Sequence, residues 1–187
     1  MSIRVVAPAS TANLGSGFDA AAAALDLWNE LSIEPGSGVE IDGEGSDELP
    51  RDATHLSLRA FALFAPAGDF RFDFVNRIPL ERGLGSSAAA IALGLVAGAA
   101  VSGRASAPAE LLELGEPIEG HADNLSAALF GGVCIATSRA GVTRATRIAD
   151  DMPVSAILVV PTERTSTAHS RNGLPGTVSH DDAAHNA

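Results

Sequence analysis

Lysine and tyrosine are absent from this 187-residue chain, and cysteine occurs once. Without lysine there is no Gly-Lys-Ser/Thr element, so a P-loop nucleotide site is excluded. The 12 basic residues are all arginine and face 23 acidic residues, which argues against a nucleic-acid-binding surface. The single cysteine excludes an internal disulfide and a cysteine-based metal cluster, and its apolar neighbours predict that Cys134 is a buried thiol.

Apolar runs of membrane-spanning length are also missing. Residues 88–101 are almost wholly apolar, but a helix that crosses a bilayer needs about 20 such residues. The first four residues lead into a strand-like segment and not into the apolar region of a signal peptide. We therefore expect a cytoplasmic soluble protein with no membrane partner.

The apolar content of 46% is ample for a packed core, and the spacing of apolar residues predicts mixed α and β structure. Predicted strands cover residues 3–7, 25–34, 39–41, 70–74, 133–137, 142–148 and 154–160, and the third belongs to a hairpin over residues 36–47. Predicted helices cover residues 56–64 and 88–101, and two more begin at Pro108 and near Asn124. Strands precede helices more often than they alternate with them, which favours the α+β class.

Local signals complete this prediction. Residues 10–19 are polar and rich in glycine, which indicates a loop with unusual backbone geometry. Either Asp52 or Thr54 is available as the N-cap of the first helix, and Asp123 as the N-cap of the helix that begins near Asn124. Four histidines are interpreted as surface or loop residues: His55, His169, His180 and His185.

A glycine–serine loop precedes the most apolar helix. Gly83 and Gly85 permit positive φ angles and a close approach of the backbone to an anion. Ser86 and Ser87 can cap the helix or offer hydroxyls to phosphate oxygens or to Mg²⁺. The helix behind them directs its unsatisfied N–H groups and its dipole at the loop. A dinucleotide fingerprint is weak because its third glycine is replaced by Ala88, and a simple capped turn before a core helix is the alternative.

Residues 79–89 resemble the second motif of the GHMP kinases, the family of galactokinase, homoserine kinase, mevalonate kinase and phosphomevalonate kinase. Two further stretches are similar to the homoserine kinases of that family. They are Ala-Pro-Ala-Ser-Thr-Ala-Asn-Leu-Gly-Ser-Gly-Phe-Asp at residues 7–19 and Glu-Gly-His-Ala-Asp-Asn at residues 119–124, with Gly-Gly following at 131–132. Their order and spacing match as well.

The resemblance implies a GHMP kinase N-terminal domain, of the ribosomal protein S5 domain 2-like fold, with a mixed sheet and helices over residues 1–152. It implies ATP-dependent phosphorylation of the L-homoserine hydroxyl, a step of threonine biosynthesis, with Mg²⁺ as cofactor, and it is compatible with a homodimer. Residues 153–187 resemble the beginning of the ferredoxin-like C-terminal domain.

Carried over by position, the resemblance also implies the site residues. The ATP phosphates would be held by Arg82, Gly83, Leu84, Gly85, Ser86, Ser87 and Ala88. Homoserine would be bound by Asn13, Asp19, His121, Asn124 and Arg171. Asp19 suits the substrate ammonium and Arg171 suits its carboxylate, while the amides and the imidazole can orient it. The alternatives are turn residues for Asn13 and Asp19, a loop histidine for His121 and a solvated arginine for Arg171.

Mg²⁺ would take a serine hydroxyl, from Ser87 or Ser86, and one carboxylate. The family position favours Glu116 for the carboxylate, but Pro117 directly follows it, so Glu119 stays open. No general base is assigned, because the chain lacks the lysine that accompanies the catalytic aspartate of mevalonate kinases. Asp19 is the one candidate base, and direct in-line attack by the homoserine hydroxyl is expected.

The sequence departs from the family in one respect. A third glycine-rich motif, of the Gly-Ala-Gly-Pro-Ser type, is not found among these residues. We therefore expect an incomplete second domain over residues 153–187, whose strand at 154–160 lacks most of its sheet partners. Three hypotheses stay open: a shortened homoserine kinase, a nucleotide-binding fragment that needs a partner chain or is inactive, and another small-molecule kinase of the family.

Overall fold

The computed structural model describes residues 2–104, 106–150, 153–163 and 176–186. Its central element is a long antiparallel hairpin, β1 (Ile3–Leu14) and β2 (Gly17–Pro35). β1 lies along one edge of β2. The other edge of β2 pairs with β4 (Phe70–Asn76) near its C-terminal end and with β5 (Val133–Arg139) near its N-terminal end.

The sheet is completed by one strand at each side. β3 (Val39–Gly43) pairs in parallel with β4, and β6 (Val142–Ala149) pairs antiparallel with β5. One parallel pair among antiparallel ones makes the sheet mixed, so the α+β prediction is confirmed. The hairpin predicted over residues 36–47 is wrong, because β3 pairs in parallel with β4, the next strand, which lies outside that range.

Four helices and one helical turn follow or interrupt the strands. They are α1 (Leu56–Phe61), the 3₁₀ turn Ala67–Asp69, α2 (Ser86–Val101), α3 (Pro108–Glu119) and α4 (Asp123–Phe130). A short exposed helix, α5 (His180–Asn186), lies in the last described segment and includes His180 and His185. None of the described helices is long and apolar enough to cross a membrane.

The core lies between the sheet and α2. Leu31 and Ile33 of β2 and Phe72 and Phe74 of β4 are at most 3% exposed and face this helix layer, as their alternation predicted. α2 is buried along nearly its whole length and is made of small and aliphatic residues. Cys134 is fully buried, which confirms the predicted core thiol, and burial raises the pKa of that thiol.

The predicted loop at residues 10–19 is instead the end of the β1–β2 hairpin. β1 continues to Leu14 and β2 begins at Gly17, with irregular pairing between Ala12 and Leu14. The unusual backbone geometry is present, because Asn13 and Asp19 have φ angles of 59° and 54°. Polar residues and glycines therefore marked left-handed positions within a strand pair and not the absence of strands.

The strand predicted at residues 154–160 is wrong. These residues are in no strand, and Ile157 and Val159 are 93% and 90% exposed. A strand needs a neighbour to take up its N–H and C=O groups, and none of the strands in the described ranges pairs with this segment. Apolar β-branched composition alone was therefore misleading.

The N-caps also differ from the prediction. Asp52 accepts hydrogen bonds from Thr54, and the N-cap of α1 is His55, whose Nδ1 accepts the Ser57 N–H at 3.2 Å. α4 begins at Asp123 itself, so Ala122 and not Asp123 occupies its N-cap position.

His55 is a core residue and not a surface one. Its side chain packs against the Phe74 ring at 4.7 Å between centroids, and the residue is 4% exposed. Burial lowers the pKa of His55 from 6.5 to about 4, against a small raising effect from Asp52. The neutral ring keeps Nδ1 as the acceptor that caps α1.

α2 begins at a left-handed residue. Gly85 occupies its N-cap with φ 66° and ψ 31°, so the predicted caps Ser86 and Ser87 are the first two residues of the helix. A Cβ built at Gly85 would overlap Ser10 Oγ of β1 and lie 3.1 Å from Asn124 Oδ1 of α4. Only glycine satisfies both the backbone angle and this close approach.

Replacing His55 by asparagine will reduce the pH dependence of stability. Since the folded-state pKa lies below the unfolded one, the contribution of His55 is complete above about pH 6.5 and is lost as the pH falls toward 4. Wild type should lose about 2 kcal/mol more than His55→Asn between pH 7 and pH 5. Urea unfolding at both pH values measures this. The control His185→Asn should keep the wild-type slope, and equal slopes for all three proteins would contradict the assignment.

Alanine at Gly85 will cost more stability than alanine at Gly83. Both glycines have left-handed φ angles, so both variants carry a backbone strain of about 1–2 kcal/mol. A Cβ at Gly83 meets nothing within 4 Å, whereas one at Gly85 overlaps Ser10. Urea unfolding should therefore show a further loss of about 1–3 kcal/mol for Gly85→Ala. Equal losses would mean that Ser10 moves aside without cost.

Candidate functional site

The phosphate-loop prediction falls on a strained turn at the N-terminus of α2. Glu81, Gly83 and Gly85 have φ angles of 55°, 71° and 66°. The backbone N–H groups in the first turn of a helix have no intrahelical acceptor, and the helix dipole adds positive potential there. The turn thus presents backbone N–H donors of the kind that suit an anion, without lysine.

A serine–glutamate pair lies beside this surface. The Ser87 hydroxyl donates to Glu119 Oε1 at 2.6 Å, which joins the start of α2 to the last residue of α3. Burial raises the pKa of the Glu119 carboxyl, while the Ser87 hydrogen bond and the nearby His121 act in the opposite direction. α3 continues through Pro117 to Glu119, and its C-cap residue Gly120 has a left-handed conformation. The end of the helix therefore places Glu119 beside the loop.

Glu116 lies elsewhere. It lines a surface cavity together with Arg104, Glu110 and Gly141, on the side of α3 that faces the β5–β6 turn. Of the two carboxylates considered from the sequence, Glu119 is the one in contact with Ser87.

Three segments far apart in the sequence meet at Ser10. The Ser10 N–H donates to the Leu84 carbonyl at 3.1 Å, and its hydroxyl donates to Asn124 Oδ1 at 2.8 Å. Ser10 is fully buried. The first motif, the phosphate loop and the third motif are therefore connected through one strand residue. Sequence reasoning assigned no role to Ser10, because spacing along a chain does not show which distant residues touch.

Asn13 and Asp19 lie together at the end of the β1–β2 hairpin. Asn13 Oδ1 accepts the Asp19 N–H at 2.9 Å, and both residues are exposed. This bond stabilises the left-handed turn geometry and leaves the turn interpretation and the binding interpretation compatible.

His121 follows the C-terminal glycine of α3 and contacts Asp123. The Nδ1 and Oδ1 atoms are 3.1 Å apart, and Asp123 Oδ1 also accepts the Asn124 N–H at 2.7 Å. Asp123 is 2% exposed, so this carboxylate orients its two neighbours from within the core. Its role as a partner of His121 was not predicted, although the His-x-Asp spacing within one motif is a usable signal.

A cavity of about 380 Å³ opens next to the loop. Ser86 and Ser87 are among its lining residues, together with apolar side chains such as Leu49 and Leu93 and the rings of His55 and Phe74. Its volume and lining suit a planar heteroaromatic group attached to phosphates held at the α2 N-terminus.

Of the two arginines expected in the site, Arg82 lies within the described residues. The Arg82 guanidinium donates to the Thr162 carbonyl at 2.7 Å and to the Glu81 carbonyl at 3.4 Å. It therefore contacts the segment at 153–163. Arg171, expected at the substrate carboxylate, lies outside the described residues, as does His169.

The family whose sequence model matches this chain is described as the GHMP kinases N terminal domain, and the match covers residues 52–132. The homoserine kinase of Streptomyces coelicolor is 42% identical over 197 residues, covering 99% of this chain and 63% of the relative. That of Streptomyces avermitilis is 43% identical over 198 residues, with 99% and 64% covered. The chain thus spans slightly less than two thirds of the length of these curated relatives.

Solved structures agree with this similarity. The homoserine kinase of Cytophaga hutchinsonii superposes with a TM-score of 0.81 at 26% identity, over 99% of this chain and 64% of that one. The mevalonate kinase of Methanococcus jannaschii, at 17% identity and a TM-score of 0.59, covers 77% of this chain and 55% of its own and shares the fold. Residues 52–132 thus match the N-terminal domain of the GHMP kinases, and the curated sequence relatives of the chain are homoserine kinases.

Proposed function

We propose that this chain binds ATP and L-homoserine and transfers the γ-phosphoryl group to the homoserine hydroxyl, giving O-phospho-L-homoserine, a step of threonine biosynthesis. The observation that carries the proposal is the meeting of three motif segments at the α2 N-terminus, through Ser10–Leu84, Ser10–Asn124 and Ser87–Glu119. Relatives about 40% identical across almost the whole chain are named homoserine kinases.

The phosphates of ATP would lie on the loop from Arg82 to Ala88. Gly83, Gly85 and the first amides of α2 offer N–H donors, which suit anionic oxygens without a basic side chain. The nucleoside would occupy the cavity lined by His55 and Phe74, because Ser86 and Ser87 also line that cavity. The phosphates would then lie along the loop near Gly85, which is close to Ser10 and Asn124.

The donor set fits Mg²⁺. A hydroxyl oxygen and a carboxylate oxygen already in contact, Ser87 Oγ and Glu119 Oε1, are hard ligands of the kind that Mg²⁺ takes beside phosphate oxygens. We therefore prefer Glu119 over Glu116. A bound Mg²⁺ would neutralise charge on the phosphate oxygens.

Homoserine would be recognised by a negatively charged side chain, a positively charged one and neutral hydrogen-bonding groups. Asp19 offers a carboxylate for the ammonium, and Asn13, His121 and Asn124 offer hydrogen bonds that orient the molecule. Arg171 stays our proposed partner for the substrate carboxylate. The hydroxyl would attack in line with the leaving phosphate oxygen, with no single residue committed as its base.

We also propose a domain boundary near residue 152. The sheet and its helices are complete by Ala149, and residues 153–163 are in neither helix nor strand. Residues 1–152 would form the nucleotide-binding domain, and residues 153–187 would belong to the second domain.

A chain that binds nucleotide without turnover is the second hypothesis, because the relatives contain further sequence.

One experiment separates these hypotheses. Calorimetry of the purified chain with Mg·ATP and with L-homoserine is paired with an assay for O-phosphohomoserine. Binding of both ligands with turnover supports the proposal. Binding without turnover supports the hypothesis of an inactive nucleotide-binding fragment, and turnover with mevalonate or galactose in place of homoserine would contradict the substrate assignment.

Loss of turnover with unchanged homoserine affinity in Asp19→Asn would identify Asp19 as the general base.

Replacing Glu119 by glutamine will weaken Mg²⁺-dependent ATP binding, and the same change at Glu116 will not. A missing carboxylate ligand should cost about tenfold or more in Mg·ATP affinity, whereas Glu116→Gln should stay within about twofold of wild type. Titration of ATP with and without Mg²⁺ isolates the metal contribution. The reverse pattern would return the metal site to Glu116.

A further inference from the structure

Ser10 is a fully buried hydroxyl in the interior of β1 that touches both halves of the proposed site. Its backbone N–H holds the Leu84 carbonyl, and its hydroxyl holds Asn124, 114 residues away. Gly85 is so close that any side chain there would overlap Ser10 Oγ. These contacts leave Ser10 in one arrangement.

The hydroxyl also determines how the Asn124 amide is oriented. If the amide were flipped, its NH₂ group would donate to Ser10 Oγ, and the Ser10 O–H would need another acceptor. None of the hydrogen bonds recorded in the described part of the chain provides one. A buried hydroxyl without an acceptor is strongly disfavoured, so Oδ1 faces Ser10.

The other end of the amide is therefore a donor. Asn124 is partly exposed, and its Nδ2 donates to no group among the recorded hydrogen bonds of the described residues. Its Oδ1 lies beside the N-cap of α2, at the end of the phosphate loop. Two N–H donors held at this place suit an oxygen acceptor and repel a substrate ammonium.

We propose that Ser10 is a positioning residue that holds Asn124 as an N–H donor to an oxygen of the reacting groups, either a γ-phosphoryl oxygen or the acceptor hydroxyl. The inference rests on the proposed phosphoryl transfer and deepens it. Ser10 touches no ligand itself. It acts by keeping the amide from turning, so that the donor is in place before the substrates arrive.

The kinetic test is a double-mutant cycle of Ser10→Ala and Asn124→Ala. Ser10→Ala should lower kcat by about 10- to 100-fold with little change in KM for ATP. If Ser10 acts through Asn124, the double variant should be no slower than Asn124→Ala alone, within about twofold. Ser102→Ala, a hydroxyl at the opposite end of α2, is the matched control and should keep wild-type kcat. Additive losses in the cycle would overturn the inference.

An NMR test is independent of turnover. The Asn124 side-chain NH₂ pair is assigned by its disappearance in Asn124→Ala. In wild type and in Ser102→Ala it should shift on addition of L-homoserine with Mg²⁺ and a non-hydrolysable ATP analogue. In Ser10→Ala the two signals should shift and broaden before any ligand is added, because the amide then samples more than one orientation. Unchanged Asn124 signals in Ser10→Ala, or no response to ligand in wild type, would overturn the inference.

The two readouts separate the possible failures. Absent turnover with the expected NMR behaviour rejects the kinase activity of this chain and supports the positioning role. If Ser10→Ala does not fold, Ser10→Cys keeps the volume with a weak donor and is compared in the same spectra.

Discussion

The close approach of Gly85 to Ser10 is the contact on which the rest of the site depends. It brings the start of α2 against β1 and leaves only a glycine's width between them. The backbone can then turn into the helix in a left-handed conformation, with its first amides uncovered. Because α4 packs on the same strand, Asn124 reaches the same point. The position of the loop's N–H donors and of the side chains beside them thus depends on this one contact between β1 and α2.

Much of the architecture was predictable because apolar periodicity reports which face of an element is buried. The alternating phenylalanines of β4, the small-residue helix α2 and Pro108 at the start of α3 were all identified correctly. The wrong predictions concern segments whose structure depends on which other segment pairs with them. β3 pairs with β4 across the intervening helix α1, and the apolar residues 154–160 pair with none of the described strands. His55 was missed because a neutral buried imidazole is an unusual cap, and its neutrality follows from burial that the sequence does not show.

The proposed site also has features that the sequence predicted and features that only the structure shows. The phosphate-loop segment and the α3–α4 connection meet at the α2 N-terminus, and the first motif joins them there through Ser10. Pairwise contacts within them could not be read from spacing. The family position favoured Glu116 as the metal carboxylate, and Pro117 after it left Glu119 open; α3 runs through Pro117 to Glu119 and places that residue on Ser87. A proline near a helix end removes one hydrogen bond without stopping the helix.

The shared edge of β2 has a consequence for how the domain assembles. β4 and β5 both pair with this edge, but β5 lies much later in the chain than β4. The N-terminal half of β2, with the hairpin end, therefore stays unpaired on that edge until residue 135 or so has been made. Closure over such a sequence distance is slow compared with local pairing. The Ser10–Asn124 hydrogen bond needs α4, which directly precedes β5, so the contact between the first motif and the third is among the last to form during synthesis.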